Sequence, residues 1–567
     1  MRINKLDLLT IAVLSIVFFS IATLNLGMTK TPLTTWQADE DTSFYIDLGE
    51  IEEVQRAYLL VKFGSANVTV YRGSPDDWIP IQLIEIPTYG TFSYYRWTEF
   101  RINSGTRYLR FEFTFKSIET KEAFLEVAEV GVLNSDNQKV VINVVTGEET
   151  SDPNLSKVID EQDIVVCPPT YMSEAYFDEK YFVRTAEDYV ESRFPYEWTH
   201  PPLGKLILAG GISVFGFNPF GWRITGVVFA TLMLPLIYFV GKILFGTWIG
   251  AFASAFLLTF DFMNFAMGRM ATIDVYVAFF SLASQLFFLI YIKNVLKNGW
   301  KTSVLPLFLA VLFFAFGVST KWIVLFGFLG QLSILLAFRF TEVIKLSDGL
   351  FEKVKAFLDR PFFRLYVFSL FAIIIYFLTY IPRMLSGKSL LYVFNLQGAM
   401  FSYHSMLVST HSFASQWWSW PLILRPVLLS ITHLPNDVVS VIVAMGNPAV
   451  WWVGFVSLIV VVGFAIRKRG LAPLFIVVLF LFQWLPYVLI SRTTYLYHFY
   501  VSIPFLCLAS AFFVNKYWSN KWWKAVILIY FSIVGILFWL FYPVISGIPV
   551  PAVWNETIRW FESWGFY

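Results

Sequence analysis

Two carboxylates and a cationic pair share the first long polar connection of this chain: Asp178 and Glu179 in Tyr176-Phe-Asp-Glu-Lys-Tyr-Phe182, then His200 and Lys205 in Thr199-His-Pro-Pro-Leu-Gly-Lys205. A carboxylate can take a proton from a hydroxyl, and imidazole or ammonium groups can hold an anion. Between apolar segments, this combination points to chemistry on a phosphorylated lipid at a membrane surface.

Further charges fall on the same side of the apolar segments: Arg223, Arg269, Lys321, Arg383, Arg425 and Arg492. Basic residues normally favour the cytoplasmic side, so a group of them opposite suggests a bound anion, although each alone could simply reach lipid phosphates. Asp274 lies about one turn into an apolar segment, where a carboxylate needs a partner, and Arg269, five residues earlier, is the expected one. His200, His404, His411 and His498 map to this face, and His433 to the same external connection as two of them. None shows the His-Glu-x-x-His spacing of a zinc protease, so no metal is assigned, a divalent ion stays open, and the histidines are read as hydrogen-bond partners of a phosphate or sugar. Trp417-Trp-Ser-Trp-Pro421, close to Arg425, fits either a membrane anchor or a platform for a sugar ring and its lipid carrier.

The elements that must position these residues are mostly transmembrane. The chain has 567 residues, 57% hydrophobic, 19% aromatic and 14% charged, the composition of a polytopic α-helical membrane protein. A net charge of +2, with basic residues scattered in short groups, gives no nucleic-acid footprint. About eleven spans are expected, at residues 8–26, 222–243, 248–266, 271–292, 302–319, 322–338, 364–382, 449–466, 471–490, 496–514 and 525–545. The first reads as a retained helix (residues 1–27), with a cleaved signal peptide as the rival. Lys242, Lys293, Lys297, Lys301, Arg467 to Arg469 and Lys516 to Lys524 place the N-terminus inside and the long connections, 169–221 and 383–448, outside. Cys167 and Cys507 fall in different environments, and no disulfide is expected.

Between the first span and the acidic pair, residues 40–145 alternate like strands, at 44–48, 57–62, 67–71, 108–113 and 125–130, with Gly, Pro and Asn turn signals between them. This predicts a jelly-roll-like β-sandwich outside the membrane, followed by a linker at 146–168. Its order of short motifs resembles the galactose-binding, discoidin-like superfamily, and Tyr94, Tyr95 and Trp97 could stack on a sugar, although aromatics in strands more often fill a core. The sequons at Asn67, Asn154 and Asn555 are all expected outside.

Taken in order, Phe177-Asp-Glu-Lys-Tyr-Phe182, His200-Pro-Pro-Leu-Gly-Lys205, Gly221-Trp-Arg223, Arg269-Met-Ala-Thr-Ile-Asp274, Ser319-Thr-Lys-Trp322 and Tyr497-His-Phe-Tyr500 resemble the protein O-mannosyltransferases across roughly 170–567. The loop from Thr410 to Pro426 looks most like the prokaryotic members. The resemblance implies a GT-C fold, with residues 169–567 as the catalytic domain, and transfer of a sugar, mannose above all, from a polyprenyl phosphate such as dolichyl phosphate mannose to Ser/Thr of a protein. The family's acidic motif maps onto Asp178 and Glu179. Inverting displacement would use Asp178 as base and Glu179 to support the acceptor or loop. The expected donor-binding set is His200, Lys205, Arg223, Arg269, Asp274, Lys321, His404, His411 and Arg425. The chain departs from the family in carrying a β domain before the acidic motif and in lacking a large luminal sugar-recognition domain, which leaves the acceptor open. Two other readings stay in view: the same donor chemistry on a lipid or glycan, and a non-enzymatic sugar-binding protein or transporter. A prokaryotic cell membrane, an archaeal one included, is the expected location, and a homo- or hetero-dimer is open.

Overall fold

The computed structural model describes residues 3–87, 92–115, 124–147, 152–345, 349–358, 361–407, 411–468 and 470–566. Thr410 and Arg469, named above, lie outside them.

The first helix, α1 (Lys5–Thr23), starts at a capping box in which Asn4 and Asp7 exchange hydrogen bonds, satisfying amide groups a helix start leaves open. Then follow strands β1 (Trp36–Ala38), β2 (Thr42–Gly64), β3 (Ala66–Ser74), β4 (Asp77–Ile86), β5 (Ser93–Thr114), β6 (Leu125–Asn134) and β7 (Val144–Gly147). The helices continue as α2 (Glu179–Val190), α3 (Leu203–Phe215), α4 (Pro219–Phe245), α5 (Trp248–Thr259), α6 (Phe262–Gly268), α7 (Asp274–Asn298), α8 (Leu305–Val318), α9 (Val324–Val343), α10 (Leu350–Leu358), α11 (Pro361–Leu378), α12 (Ile381–Leu385) and α13 (Leu390–Met406). The hairpin β8 (Val427–Leu434) and β9 (Val438–Ala444) leads to α14 (Pro448–Lys468), α15 (Leu471–Trp484), α16 (Ile503–Tyr517), α17 (Lys521–Ser546), β10 (Val550–Pro551) and α18 (Ala552–Ile558).

Among the described residues eight helices are long and apolar enough to cross a membrane, and α5 with α6, bent by 55° at their junction, pass the same test together, as one broken span or a re-entrant loop. The shorter apolar helices α8 and α11 occupy the other two of the eleven expected positions. α1 belongs to the bundle: Asp7 takes hydrogen bonds from Tyr238 and Lys242 of α4, and Phe18 and Ala22 are buried.

In the β domain the sequence suggests separate short strands at 44–48 and 57–62, whereas one continuous strand, β2, covers both. The pairing of β2 with β5 shifts register between Asp47 and Glu52 and again between Val54 and Arg56, with Gly49 at φ +87° in the first irregularity. Such bulges bend a strand. The single sheet, in order β1-β6-β2-β5-β3-β4 with β7 also on β2, thereby encloses one apolar core that includes Phe44, Leu59, Val68, Phe111, Val127 and Val132.

The three aromatics expected to stack on a sugar are not free to do so. Tyr94, Tyr95 and Trp97 are 2%, 0% and 8% exposed and join the core of the helical part. Tyr95 O accepts from Ala175 N (2.8 Å), Trp97 N donates to Glu174 (2.9 Å) and Tyr94 Oη donates to Glu187 (2.6 Å). The Arg184 guanidinium lies 3.7 Å from the Phe63 ring centre. The domain is therefore seated on the connection that carries the acidic pair. The expected linker contributes too, through Glu161 and Gln162 bonded to Glu129.

Candidate active site

Three motifs far apart in sequence converge at one end of the bundle because α3 enters it very closely. A Cβ on Gly204 would come within 2.7 Å of Ile273 and 2.9 Å of Thr320, so only glycine fits without displacement. Leu203 N donates to Ser319 O (3.0 Å). This contact brings the His200 turn, the start of α7 with Asp274, and the α8–α9 junction with Lys321 to one place.

Asp178 sits at the start of α2 without capping it. Among the described residues no hydrogen bond or ion pair engages its carboxylate. Burial, together with the Asp274 carboxylate, pushes it up to about 6, against the opposing pull of Lys321 and Lys180. A carboxyl at that value exchanges a proton near neutral pH, as general-base work requires.

Its neighbour Glu179 is fully buried and committed inward. It takes Arg223 Nε (2.8 Å) and Nη2 (2.7 Å), Ala271 N (2.8 Å) and Tyr176 N (3.2 Å). Arg223 spends its other donors on Leu26 O, Tyr171 O and Glu174 O. Glu179 and Arg223 thus tie the acidic turn to α4 and to the chain leaving α1, and neither presents a group to a substrate.

Arg269 is likewise consumed. It donates to Ala22 O, Leu24 O, Asn25 O and Ser546 O, neutralising the carbonyl ends of α1 and α17, where a cation is favourable. The expected pairing of Arg269 with Asp274 is therefore not made. Asp274 pairs with Lys321 at 2.8 Å, the two side chains 15% and 12% exposed.

Around this pair stands a polar wall organised by Glu197, which sequence reading passed over. Glu197 accepts from the backbone N–H of Thr199 (2.7 Å) and His200 (3.1 Å) and pairs with buried Lys205. Burial would raise its carboxyl, but Lys205 and His200 bring it well below the usual carboxylate range. Lys205 also donates to His200 O (2.7 Å), so it shapes the turn from beneath. The acceptor-only carboxylate against His200 Nδ1 (3.2 Å) puts the ring hydrogen on Nδ1 and leaves Nε2 as an acceptor. His404 lies against His200, rings 5.0 Å apart. Its Nε2 donates to Thr199 O (2.7 Å), and its Nδ1 accepts from Arg492 Nη1 (2.8 Å). Burial, with a second imidazole, His200, and the Arg492 guanidinium beside it, pushes His404 down to about 4, so it stays neutral.

The remaining side is aromatic. Tyr497 stacks on His498 (4.8 Å) and on Tyr495 (5.4 Å) and meets Phe177 edge-on, while Trp420 lies parallel to His498 at 6.1 Å. Of the Trp cluster, Trp420 is buried, Trp417 packs on Trp484 and Trp418 is exposed. His411 is exposed with its ring against Tyr495, and Arg425 is exposed with a contact to Ala414 O. His433 O accepts from Arg56 of the β domain.

The structure thus gathers Asp178, Asp274, Lys321, His200 and His404, adds Glu197, Arg492, Tyr495 and Tyr497, and turns Glu179, Lys205, Arg223 and Arg269 inward. Arg492 was visible only as one of several cations beyond the spans. Cys167 and Cys507 are both free. Among the described residues no three His, Cys, Asp or Glu side chains converge as metal ligands would.

Two family models match consecutive parts of the chain: the dolichyl-phosphate-mannose-protein mannosyltransferase model over residues 199–351, and the C-terminal four-transmembrane region of protein O-mannosyltransferase over 389–564. The acidic pair and the β domain precede both. The polyprenol-phosphate-mannose–protein mannosyltransferase of Mycolicibacterium smegmatis is 25% identical over 472 residues, covering 70% of this chain and 89% of the relative. That of Corynebacterium glutamicum is 25% identical over 461 residues, covering 68% and 88%. Among solved structures, the Saccharomyces cerevisiae protein O-mannosyltransferase Pmt1-Pmt2 complex bound to the sugar donor superposes with a TM-score of 0.57 at 14% identity, over 69% of this chain and 89% of that one. The fold is GT-C, and the chain belongs to the protein O-mannosyltransferase family.

Proposed function

We propose that this membrane glycosyltransferase moves mannose from a polyprenyl phosphate to Ser/Thr hydroxyls of a protein, with Asp178 as general base and the site on the extracytoplasmic face. The observation that carries the reading is the position of Asp178: a carboxylate held near pH 6, with no committed partner among the described residues, beside the Asp274–Lys321 pair.

In the proposed step the acceptor oxygen attacks the anomeric carbon of mannose while the bond from that carbon to the phosphate oxygen breaks. The hydroxyl proton passes to Asp178, and polyprenyl phosphate leaves with the bonding pair. One displacement inverts the anomeric centre and needs no covalent intermediate. Lys321 and Arg492 supply the positive charge that the departing phosphate requires. Asp274 fixes the Lys321 ammonium, His404 fixes Arg492, and His200 Nε2 offers an acceptor to a sugar hydroxyl. Tyr495 and Tyr497 give the flat apolar surface on which a pyranose face packs.

The test is purified enzyme with labelled polyprenyl phosphate mannose and separate Ser/Thr-peptide, lipid and glycan acceptors. The reading predicts mannosylated peptide with inverted anomeric configuration. Product on lipid or glycan alone would replace the protein acceptor, and retained configuration would overturn the single displacement.

A further inference from the structure

We infer that the β domain forms the acceptor-binding wall of the site and selects polypeptide segments carrying a carboxylate next to the reacting Ser or Thr. The inference rests on the protein-acceptor reading above and adds its sequence preference.

Where the domain meets the catalytic connection, a polar crevice runs between Pro87, Phe92 and the start of β5 on one wall and Ala175, Phe177 and Lys180 on the other. Phe177 immediately precedes Asp178, and its ring also meets Tyr497, so this residue borders both the crevice and the aromatic side of the site. Two cations face the crevice. Arg96, exposed, lines the wall from β5, and no hydrogen bond or ion pair holds it among the described residues. Lys180 lies opposite, its ammonium donating to Phe92 O (3.4 Å) and lying over the Phe92 and Tyr181 rings, and burial together with the Arg96 charge lowers it from the ordinary value, which marks the two cations as neighbours. The nearby carboxylate, Glu174, accepts from Trp97 N and also feels the Arg96 charge, without bonding to it.

The walls are also fixed relative to each other. Tyr95 O and Trp97 N are bonded to Ala175 and Glu174, and Phe92 packs on Tyr181 and Tyr196. This edge of β5 therefore stands in a constant position relative to Asp178. An extended peptide carrying its hydroxyl to Asp178 passes between two like charges, which favour Asp or Glu beside the target and oppose Lys or Arg.

The experiment compares matched Ser/Thr peptides with neutral, Asp-flanked and Lys-flanked targets on wild type, Arg96→Glu and the charge control Arg101→Glu. Arg101 is exposed on the same strand and pairs with Glu99. In wild type the Asp-flanked peptide is expected to have a KM about tenfold below the Lys-flanked one, with similar kcat, the scale that two partly exposed ion contacts supply, and the gap narrows with salt. Arg96→Glu abolishes or reverses the order and Arg101→Glu keeps it. Equal use of all three peptides, or a preference untouched by Arg96→Glu, overturns the inference while leaving protein glycosylation intact. Transfer to no peptide, with product on lipid or glycan, overturns the protein-acceptor reading and the inference with it.

Discussion

Glu179→Gln separates the two adjacent acidic residues by what each is bonded to. The substitution keeps the size of the side chain but removes the charge that faces Arg223, and it turns one acceptor oxygen into an NH2 group amid four donors: Arg223 Nε and Nη2, Ala271 N and Tyr176 N. Arg223 keeps its three carbonyl contacts but becomes a buried, uncompensated cation. Breaking one side of such a pair costs about 3–5 kcal/mol, which at about 1.4 kcal/mol per tenfold shifts docking of the acidic turn by a factor of about 10² to 4 × 10³. Two assays read this: thermal unfolding followed by tryptophan fluorescence, and amide exchange at Tyr176 and Ala271. Glu179→Gln is expected to lower the unfolding temperature and speed exchange at both amides, with transfer falling only as far as undocking allows. Asp178→Asn is expected to leave both readouts near wild type. If Glu179→Gln lost transfer with unchanged unfolding and exchange, Glu179 would be acting on a substrate and the inward assignment would fail.

Three further outcomes follow from the same geometry. Asp178 works deprotonated, so kcat/KM should rise with pH through about 6 and then level; in Asp274→Asn, which removes a repelling charge and frees Lys321, the residual activity should keep its acid limb at lower pH, and an unmoved limb would exclude the coupling. Lys321→Met should raise the KM for the lipid-linked donor about 10- to 100-fold, the worth of one charge-assisted hydrogen bond, with little change in KM for peptide; equal effects on both would remove it from the donor side. Trp97→Ala, at a position 8% exposed between the β domain and the helices, should cost about 3–5 kcal/mol of packing and expose β5 to limited proteolysis; an unchanged digestion pattern would mean that the domain is not held there.

The spans were legible because about twenty apolar residues in a row admit few other readings, and the acidic turn because carboxylates between apolar segments need a reason. The inward roles of Arg223 and Arg269 were not legible, since a sequence shows a cation but not the carbonyl ends of distant helices that surround it. Glu197 escaped notice for a similar reason: its partners Thr199, His200 and Lys205 are local, but its importance comes from α3 entering closely at Gly204. In the β domain alternation marked the strands correctly in place, yet nothing in it said that β2 bends instead of breaking. Tyr94, Tyr95 and Trp97 looked available for sugar because alternation gives each face of a strand but not what covers it, and here the catalytic connection does.

The most direct test of the central claim is a single turnover of Asp178→Asn with bound, labelled polyprenyl phosphate mannose and a saturating Ser/Thr peptide, with donor occupancy measured in the same sample. The account predicts wild-type donor binding with transfer slowed about 10²- to 10⁴-fold, the usual contribution of a positioned base. Transfer at near wild-type rate from a fully occupied donor site would contradict it, and the base would have to be sought elsewhere.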